Sequence, residues 1–108
     1  MTTVRITTAE ALVRFLVAQK IDVNGATEKL FPGVIGIFGH GNVTSLGHSL
    51  EQHRDEIPVW RGQNEQGMGL AAAAYAKAKQ RRQVLIATSS IGPGATNMVT
   101  AAGVAMSN

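Results

Sequence analysis

The sequence has 108 residues, of which 44% are hydrophobic and 16% charged, with a formal net charge of +3, 12 glycines and no cysteine. This length predicts one domain at most, and the apolar content excludes intrinsic disorder. The lack of cysteine excludes disulfides and cysteine-ligated metal sites. No apolar run reaches the roughly 18–20 residues that span a bilayer, and no signal peptide is recognisable. The composition therefore predicts a soluble cytoplasmic protein without a membrane partner.

A basic cluster lies at the predicted end of one helix and comprises Lys77, Lys79, Arg81 and Arg82. Cations at that position offset the negative end of the helix dipole. Nucleic-acid binding usually requires a basic face with interleaved aromatic side chains, which this run does not have. We therefore expect no nucleic-acid partner.

The first element in chain order is a predicted helix over residues 8–19. Thr7 is a typical N-cap residue, and Glu10 three positions later fits a capping box. Leu12, Val13 and Leu16 then follow at helical spacing. The polar, turn-rich segment 22–29 is predicted to be a loop.

Three short apolar segments are predicted to be strands, at residues 34–38, 57–61 and 84–88. Helices are predicted at 44–54, at 68–79 and from Pro93 or Gly94 onward. The alanine-rich helix at 68–79 should be buried and closely packed. This alternation predicts an α/β fold with a doubly wound parallel sheet, covered by helices on both faces. Because the sequence stops within an apolar helical stretch after only three strands, we expect an incomplete domain.

Three polar, glycine-containing loops follow the predicted strands, at residues 39–42, 62–65 and 89–94. In open parallel sheets, ligands bind beyond the carboxyl ends of the strands. We therefore expect the three loops to converge on one edge and form the functional site. The Walker A and Gly-x-Gly-x-x-Gly patterns are absent, which argues against mononucleotide and dinucleotide binding there.

Glu65 is the most informative residue of these loops, and two interpretations of it remain open. It can be a helix N-terminal carboxylate that satisfies free N–H groups and the helix dipole. Alternatively, it is a partly buried carboxylate with a raised pKa, ready to exchange a proton with a ligand nitrogen. His48 and His53, on the second predicted helix, are expected to be surface residues.

Two motifs carry a family resemblance. Residues 64–76 read Asn-Glu-Gln-Gly-Met-Gly-Leu-Ala-Ala-Ala-Ala-Tyr-Ala, and residues 92–97 read Gly-Pro-Gly-Ala-Thr-Asn. Together they resemble the N-terminal pyrimidine-binding domain of thiamine-diphosphate enzymes, so residues 1–108 would be part of such a domain. The resemblance implies that Glu65 hydrogen-bonds N1′ of the cofactor's aminopyrimidine and favours the imino tautomer that deprotonates the thiazolium carbon.

The resemblance also implies where the rest of the cofactor binds. Gly92, Pro93, Gly94 and Asn97 would lie beside the pyrimidine ring or a partner chain. The diphosphate would be held through Mg²⁺ by another domain, whose Gly-Asp-Gly signature is absent here, so no metal site is expected in this chain. The working enzyme would be at least a homodimer, and this piece alone would be inactive.

The first two loops narrow the resemblance to one branch of the family. Residues 38–43 and 60–65 are similar to hydrolases that cleave a C–C bond of trihydroxycyclohexane-1,2-dione in myo-inositol catabolism. Because a polyhydroxylated cyclic diketone needs hydrogen-bond partners, His40, Asn42, Gln63 and Asn64 are predicted substrate contacts. Asn64 stands where many family members have histidine. Two alternatives stay open: a thiamine-diphosphate enzyme of the acetolactate synthase or 2-keto acid decarboxylase type, and a non-catalytic, self-associating α/β module.

Overall fold

A computed structural model describes residues 2–107 and contains helices and strands in an α/β arrangement. In chain order the elements are α1 Thr8–Ala18, β1 Lys20–Val23, β2 Ala26–Lys29, β3 Val34–Gly36, α2 Gly39–Thr44, α3 Leu46–Gln52, β4 Val59–Arg61, α4 Glu65–Ala78, β5 Ile86–Thr88 and α5 Pro93–Ser107. Within residues 2–107, no helix combines the length and the apolar character needed to cross a membrane.

The central sheet is parallel and has the strand order β4-β3-β5. All three predicted strands are present, although each is shorter than expected. Val34 is in register with Val59 and with Ile86, so these side chains share one face of the sheet. That face packs against α1 and α3 in a core that contains Val13, Leu16, Val34, Leu50 and Ile57.

The opposite face of the sheet carries α4 and α5. Ala87 follows Ile86 and therefore points to the other side, where Gly69 of α4 and Met98 of α5 line the same cleft. The helices approach closely because Gly69 has no side chain: an added Cβ would lie 2.5 Å from the Cβ of Ala101. Helices on both faces confirm the predicted doubly wound α/β class.

The predicted loop at residues 22–29 is wrong, because β1 and β2 form an antiparallel hairpin there. Asn24 and Gly25 make its two-residue turn and have φ angles of 51° and 85°. Positive φ at both positions is typical of a type I′ turn, for which Asn-Gly is the favoured pair. The strands themselves are mostly polar and exposed, so hydrophobic patterning does not reveal them.

The first glycine-rich loop also differs from the prediction, because residues 39–44 form the short helix α2. A break at Ser45, with φ −111° and ψ −81°, separates α2 from α3. The predicted single helix over residues 44–54 is therefore wrong in its start, although Leu50 is buried and Leu46 packs against the core as expected.

The alanine-rich helix α4 is less buried than predicted. Only Glu65 and Met68 of this helix are buried, while Ala71 and Ala74 are exposed. The side of α4 that faces the sheet and α5 is closely packed, and the other side is open to solvent. The prediction therefore holds for one face of the helix.

The N-terminus of α1 is capped as predicted, because the Thr7 side chain accepts a hydrogen bond from the Glu10 backbone N–H at 3.1 Å. The carboxylate of Glu10 does not complete the capping box. Its Oε2 atom accepts from Arg14 at 2.7 Å and lies 2.9 Å from Nε2 of His53. Glu10 thus connects α1 to the end of α3.

His53 is not the simple surface residue that the sequence predicts, because its side chain is only 19% exposed. Its two ring nitrogens lie 2.9 Å from Glu10 Oε2 and 2.8 Å from Glu56 Oε1. The hydrogen bonds with Glu10, and then with Glu56, raise the pKa of His53 above its ordinary value. The hydrogen bonds from His53, and then from Arg14, lower the pKa of Glu10.

These shifts predict a pH-dependent stability. The contribution of His53 is complete below its ordinary pKa of 6.5 and is lost as the pH rises through its higher folded pKa. The contribution of Glu10 is complete above 4.5 and is lost as the pH falls through its lower folded pKa. We expect the free energy of unfolding from urea titrations to decrease as the pH rises from about 6.5 through the higher folded pKa of His53. His53→Gln should make the free energy of unfolding less dependent on pH in this range. His48→Gln is the control: it changes an exposed histidine of α3, and the decrease should stay as in the wild type.

Candidate active site

The loops that follow β3, β4 and β5 meet at the carboxyl edge of the sheet, as predicted. Asn42 Nδ2 donates to the backbone oxygen of Ser89 at 3.4 Å. Gly39 lies against Ser90, since an added Cβ would be 2.9 Å from the Cβ of Ser90. The carboxylate of Glu65 binds Ser90 directly. Ser90 is therefore the point at which the three loops touch.

Glu65 is the first residue of α4, directly after the N-cap Asn64. The Asn64 side-chain oxygen accepts from the backbone N–H of Gly67 at 2.8 Å, which fixes the start of the helix. Glu65 is 7% exposed, and it is the only buried charged residue among residues 2–107. A carboxyl group is seldom buried without partners, so its surroundings define the site.

Ser90 donates two hydrogen bonds to the same oxygen of Glu65. The hydroxyl Oγ lies 2.7 Å from Oε2, and the backbone N–H donates to Oε2 at 3.2 Å. The hydroxyl bond, followed by the backbone N–H groups of Glu65 and Ser90, lowers the pKa of Glu65, while desolvation opposes this effect. Of the two interpretations of Glu65, the one with a raised pKa is therefore wrong in direction, because hydrogen-bond donors to the charged form outweigh burial. Glu65 is an anionic acceptor at neutral pH.

The start of α5 packs against the contact between Glu65 and Ser90. Gly92 has a φ angle of 64°, which favours glycine, and Pro93 opens the helix. An added Cβ on Gly94 would overlap both Glu65 Oε2 and Ser90 Oγ. The carboxylate can approach Ser90 only because residue 94 is glycine.

The remaining predicted site residues lie around this centre. Asn97 is half-buried one turn into α5, His40 is exposed on α2, and Gln63 is exposed before α4. Asn42 connects two of the loops, and the oxygen of Asn64 is used in capping. Their proposed contacts with substrate or cofactor stay predictions.

The sequence reasoning did not single out Ser90. A hydroxyl residue in the loop after β5 gives a weak signal by itself, since serine is common in turns. The parallel order β4-β3-β5 and the path of α4 from β4 to β5 place it beside Glu65. To predict that Ser90 contacts Glu65, one would have needed to know this strand order.

A doubly wound sheet with a buried carboxylate and a glycine-containing helix start at its carboxyl edge has its polar groups where open α/β sheets bind ligands. The sequence matches the family described as thiamine pyrophosphate enzyme, N-terminal TPP binding domain, over residues 6–108. The chain belongs to this family. Thiamine diphosphate is thus the cofactor of the class.

Curated relatives share about half of their aligned residues with this chain. It is 52% identical over 108 residues to the 3D-(3,5/4)-trihydroxycyclohexane-1,2-dione hydrolase of Geobacillus thermodenitrificans. A second hydrolase of that name from Bacillus cereus is also 52% identical, and one from Bacillus thuringiensis is 51% identical. Each alignment covers 100% of this chain and 17% of the relative. No solved structure matches the chain significantly.

Proposed function

We propose that this chain is part of the pyrimidine-binding domain of a longer thiamine-diphosphate-dependent hydrolase. Its substrate would be trihydroxycyclohexane-1,2-dione, whose C–C bond is cleaved in myo-inositol catabolism. The observation that carries the proposal is the buried carboxylate of Glu65 at the carboxyl edge of the sheet. The names and the 51–52% identity of the relatives support the choice of substrate.

The residues at this edge fit an aminopyrimidine ring. An ionised carboxylate is the acceptor that a protonated ring nitrogen requires, and the Ser90 bonds keep Glu65 in that form. Gly92 has open space where a side chain would lie, which leaves room for a flat ring beside the start of α5, whereas Gly94 leaves room for the contact between Glu65 and Ser90. The basic cluster of Lys77, Lys79, Arg81 and Arg82 lies at the opposite end of α4 from Glu65.

In this proposal, Glu65 accepts a hydrogen bond from N1′–H and stabilises the proton on that nitrogen. A carboxylate shielded from water makes this interaction stronger than it would be in solution. Thiamine diphosphate, when bound, would supply a carbon nucleophile for a carbonyl group, and its thiazolium ring would be the electron sink for the pair released when the C–C bond breaks. The role of this chain is to hold and polarise the pyrimidine.

Substrate recognition belongs to the loops on either side of Glu65. His40, Asn42, Gln63 and Asn64 carry donors or acceptors suited to ring hydroxyl groups, and Asn42 and Asn64 are held in place by their bonds to Ser89 and Gly67. The proposal also includes Mg²⁺ and diphosphate binding by another domain, a cytoplasmic location and at least a homodimer. Gly92, Pro93, Gly94 and Asn97 would contact the cofactor or the partner chain.

The proposal is tested by an assay of the full-length protein. Purified protein should hydrolyse trihydroxycyclohexane-1,2-dione, and removal of thiamine diphosphate by dialysis against a chelator should abolish turnover until cofactor and Mg²⁺ are returned. Pyruvate is the control substrate. Turnover of pyruvate in place of the dione would support the acetolactate synthase or decarboxylase alternative. Folded protein that binds no cofactor and only self-associates would support the non-catalytic alternative.

A further inference from the structure

The contacts of Glu65 identify a second residue of the site, whose role rests on the function proposed above. Ser90 directs both of its donors, the hydroxyl and the backbone N–H, at Oε2. Neither bond involves Oε1. Two donors on one oxygen fix the rotation of a carboxylate group more strictly than one donor does.

The position of Ser90 is itself fixed by its neighbours. Gly39, the first residue of α2, leaves room for the Ser90 Cβ, and Gly94 leaves room for the hydroxyl. Gly39 has a φ angle of 71° that favours glycine. The serine is thus held between two glycines from different loops, and its hydroxyl has little freedom to turn away from Glu65.

We propose that Ser90 is a positioning residue: its hydroxyl and backbone N–H hold Oε2 of Glu65, so that Oε1 is the oxygen presented to the ring nitrogen of the pyrimidine. Ser90 does not contact the cofactor in this arrangement. It keeps the carboxylate ionised and in one orientation before the cofactor arrives, so that binding requires little reorganisation.

The first test uses the cofactor-free protein and therefore does not depend on turnover. In Ser90→Ala, carbon-13 NMR titration of the glutamate carboxyl groups should show the pKa of Glu65 raised toward its ordinary value. Glu10 is the internal reference and should titrate as in the wild type, because its partners are His53 and Arg14. The Glu65 resonance is assigned by its disappearance in Glu65→Gln.

The second test uses the loaded enzyme. Ser90→Ala should reduce kcat about tenfold, the effect of losing one hydrogen bond to a charged group, and should leave the KM for the dione unchanged. The acid limb of the kcat profile should move to higher pH. Ser90→Thr keeps the hydroxyl and should restore both properties. Ser107→Ala is the matched control, because it deletes a serine hydroxyl that donates to Gly103 at the far end of α5.

The results separate the two proposals. An unchanged Glu65 titration in folded Ser90→Ala overturns the role of Ser90 and leaves the proposed function intact. If Ser90→Ala does not fold, Ser90→Cys keeps a side chain of similar shape but replaces the hydroxyl with a weak S–H donor, and its titration decides the question. Normal turnover by Glu65→Gln overturns the proposed function, whereas the titration of Ser90→Ala still reports on the hydrogen bond.

Discussion

Glu65→Gln is expected to reduce kcat of the full-length enzyme by about 100- to 10,000-fold at saturating thiamine diphosphate, the range typical of a lost proton-transfer partner. The amide keeps the shape of the carboxylate, and its oxygen can still accept from Ser90. It carries no negative charge to stabilise a proton on the ring nitrogen. Steady-state kinetics with added cofactor measures the effect, and circular dichroism verifies that the fold is retained.

Glu51→Gln is the matched control for this experiment. Glu51 lies on α3, is 68% exposed and pairs with Arg54 of the same region. Exposed pairs of this kind contribute little to stability, so its turnover should equal that of the wild type. A Glu65→Gln enzyme within about twofold of wild-type kcat would contradict the role of Glu65, since general acid–base contributions are far larger than that.

The sequence predicts the parts of this fold whose signals are local and strong. Apolar β-branched runs give the three strands, and the alternation with helices gives the parallel sheet with its site at the carboxyl edge. Glu65 stands out because it is a carboxylate at the start of a very apolar helix. The strands and their alternation with helices follow from the hydrophobic pattern of the sequence, and the structure contains them.

The failures have two physical causes: the hairpin has a weak local pattern, whereas the pKa shift of Glu65 and the pairing of His53 depend on residues far away in the sequence. The hairpin at residues 20–29 has polar, exposed strands, so only its Asn-Gly turn identifies it. The sign of the pKa shift of Glu65 depends on Ser90, 25 positions away. The pairing of His53 with Glu10 joins residues 43 positions apart. Such long-range contacts can be predicted only after the strand order and the positions of the helices are known.

Gly94→Ala is the second change with a large expected effect, because it adds one methyl group where Glu65 and Ser90 meet. The new Cβ would overlap Glu65 Oε2 and Ser90 Oγ, so the carboxylate has to move. Misplacement of a catalytic group by about 1 Å costs on the order of a hundredfold in rate. We expect kcat to fall by about that factor and the pKa of Glu65 to rise toward its ordinary value as the Ser90 bonds lengthen.

Gly103→Ala separates this steric effect from the general effect of alanine in a helix. Both glycines lie in α5, and neither has a φ angle in the left-handed region, so the backbone accepts alanine at both positions. An added Cβ on Gly103 meets no atom within 4 Å. Gly103→Ala should therefore raise the free energy of unfolding by about 0.5–1 kcal/mol and leave turnover unchanged. Equal kinetics for the two variants would show that the close approach of α5 to Glu65 is not needed for the reaction.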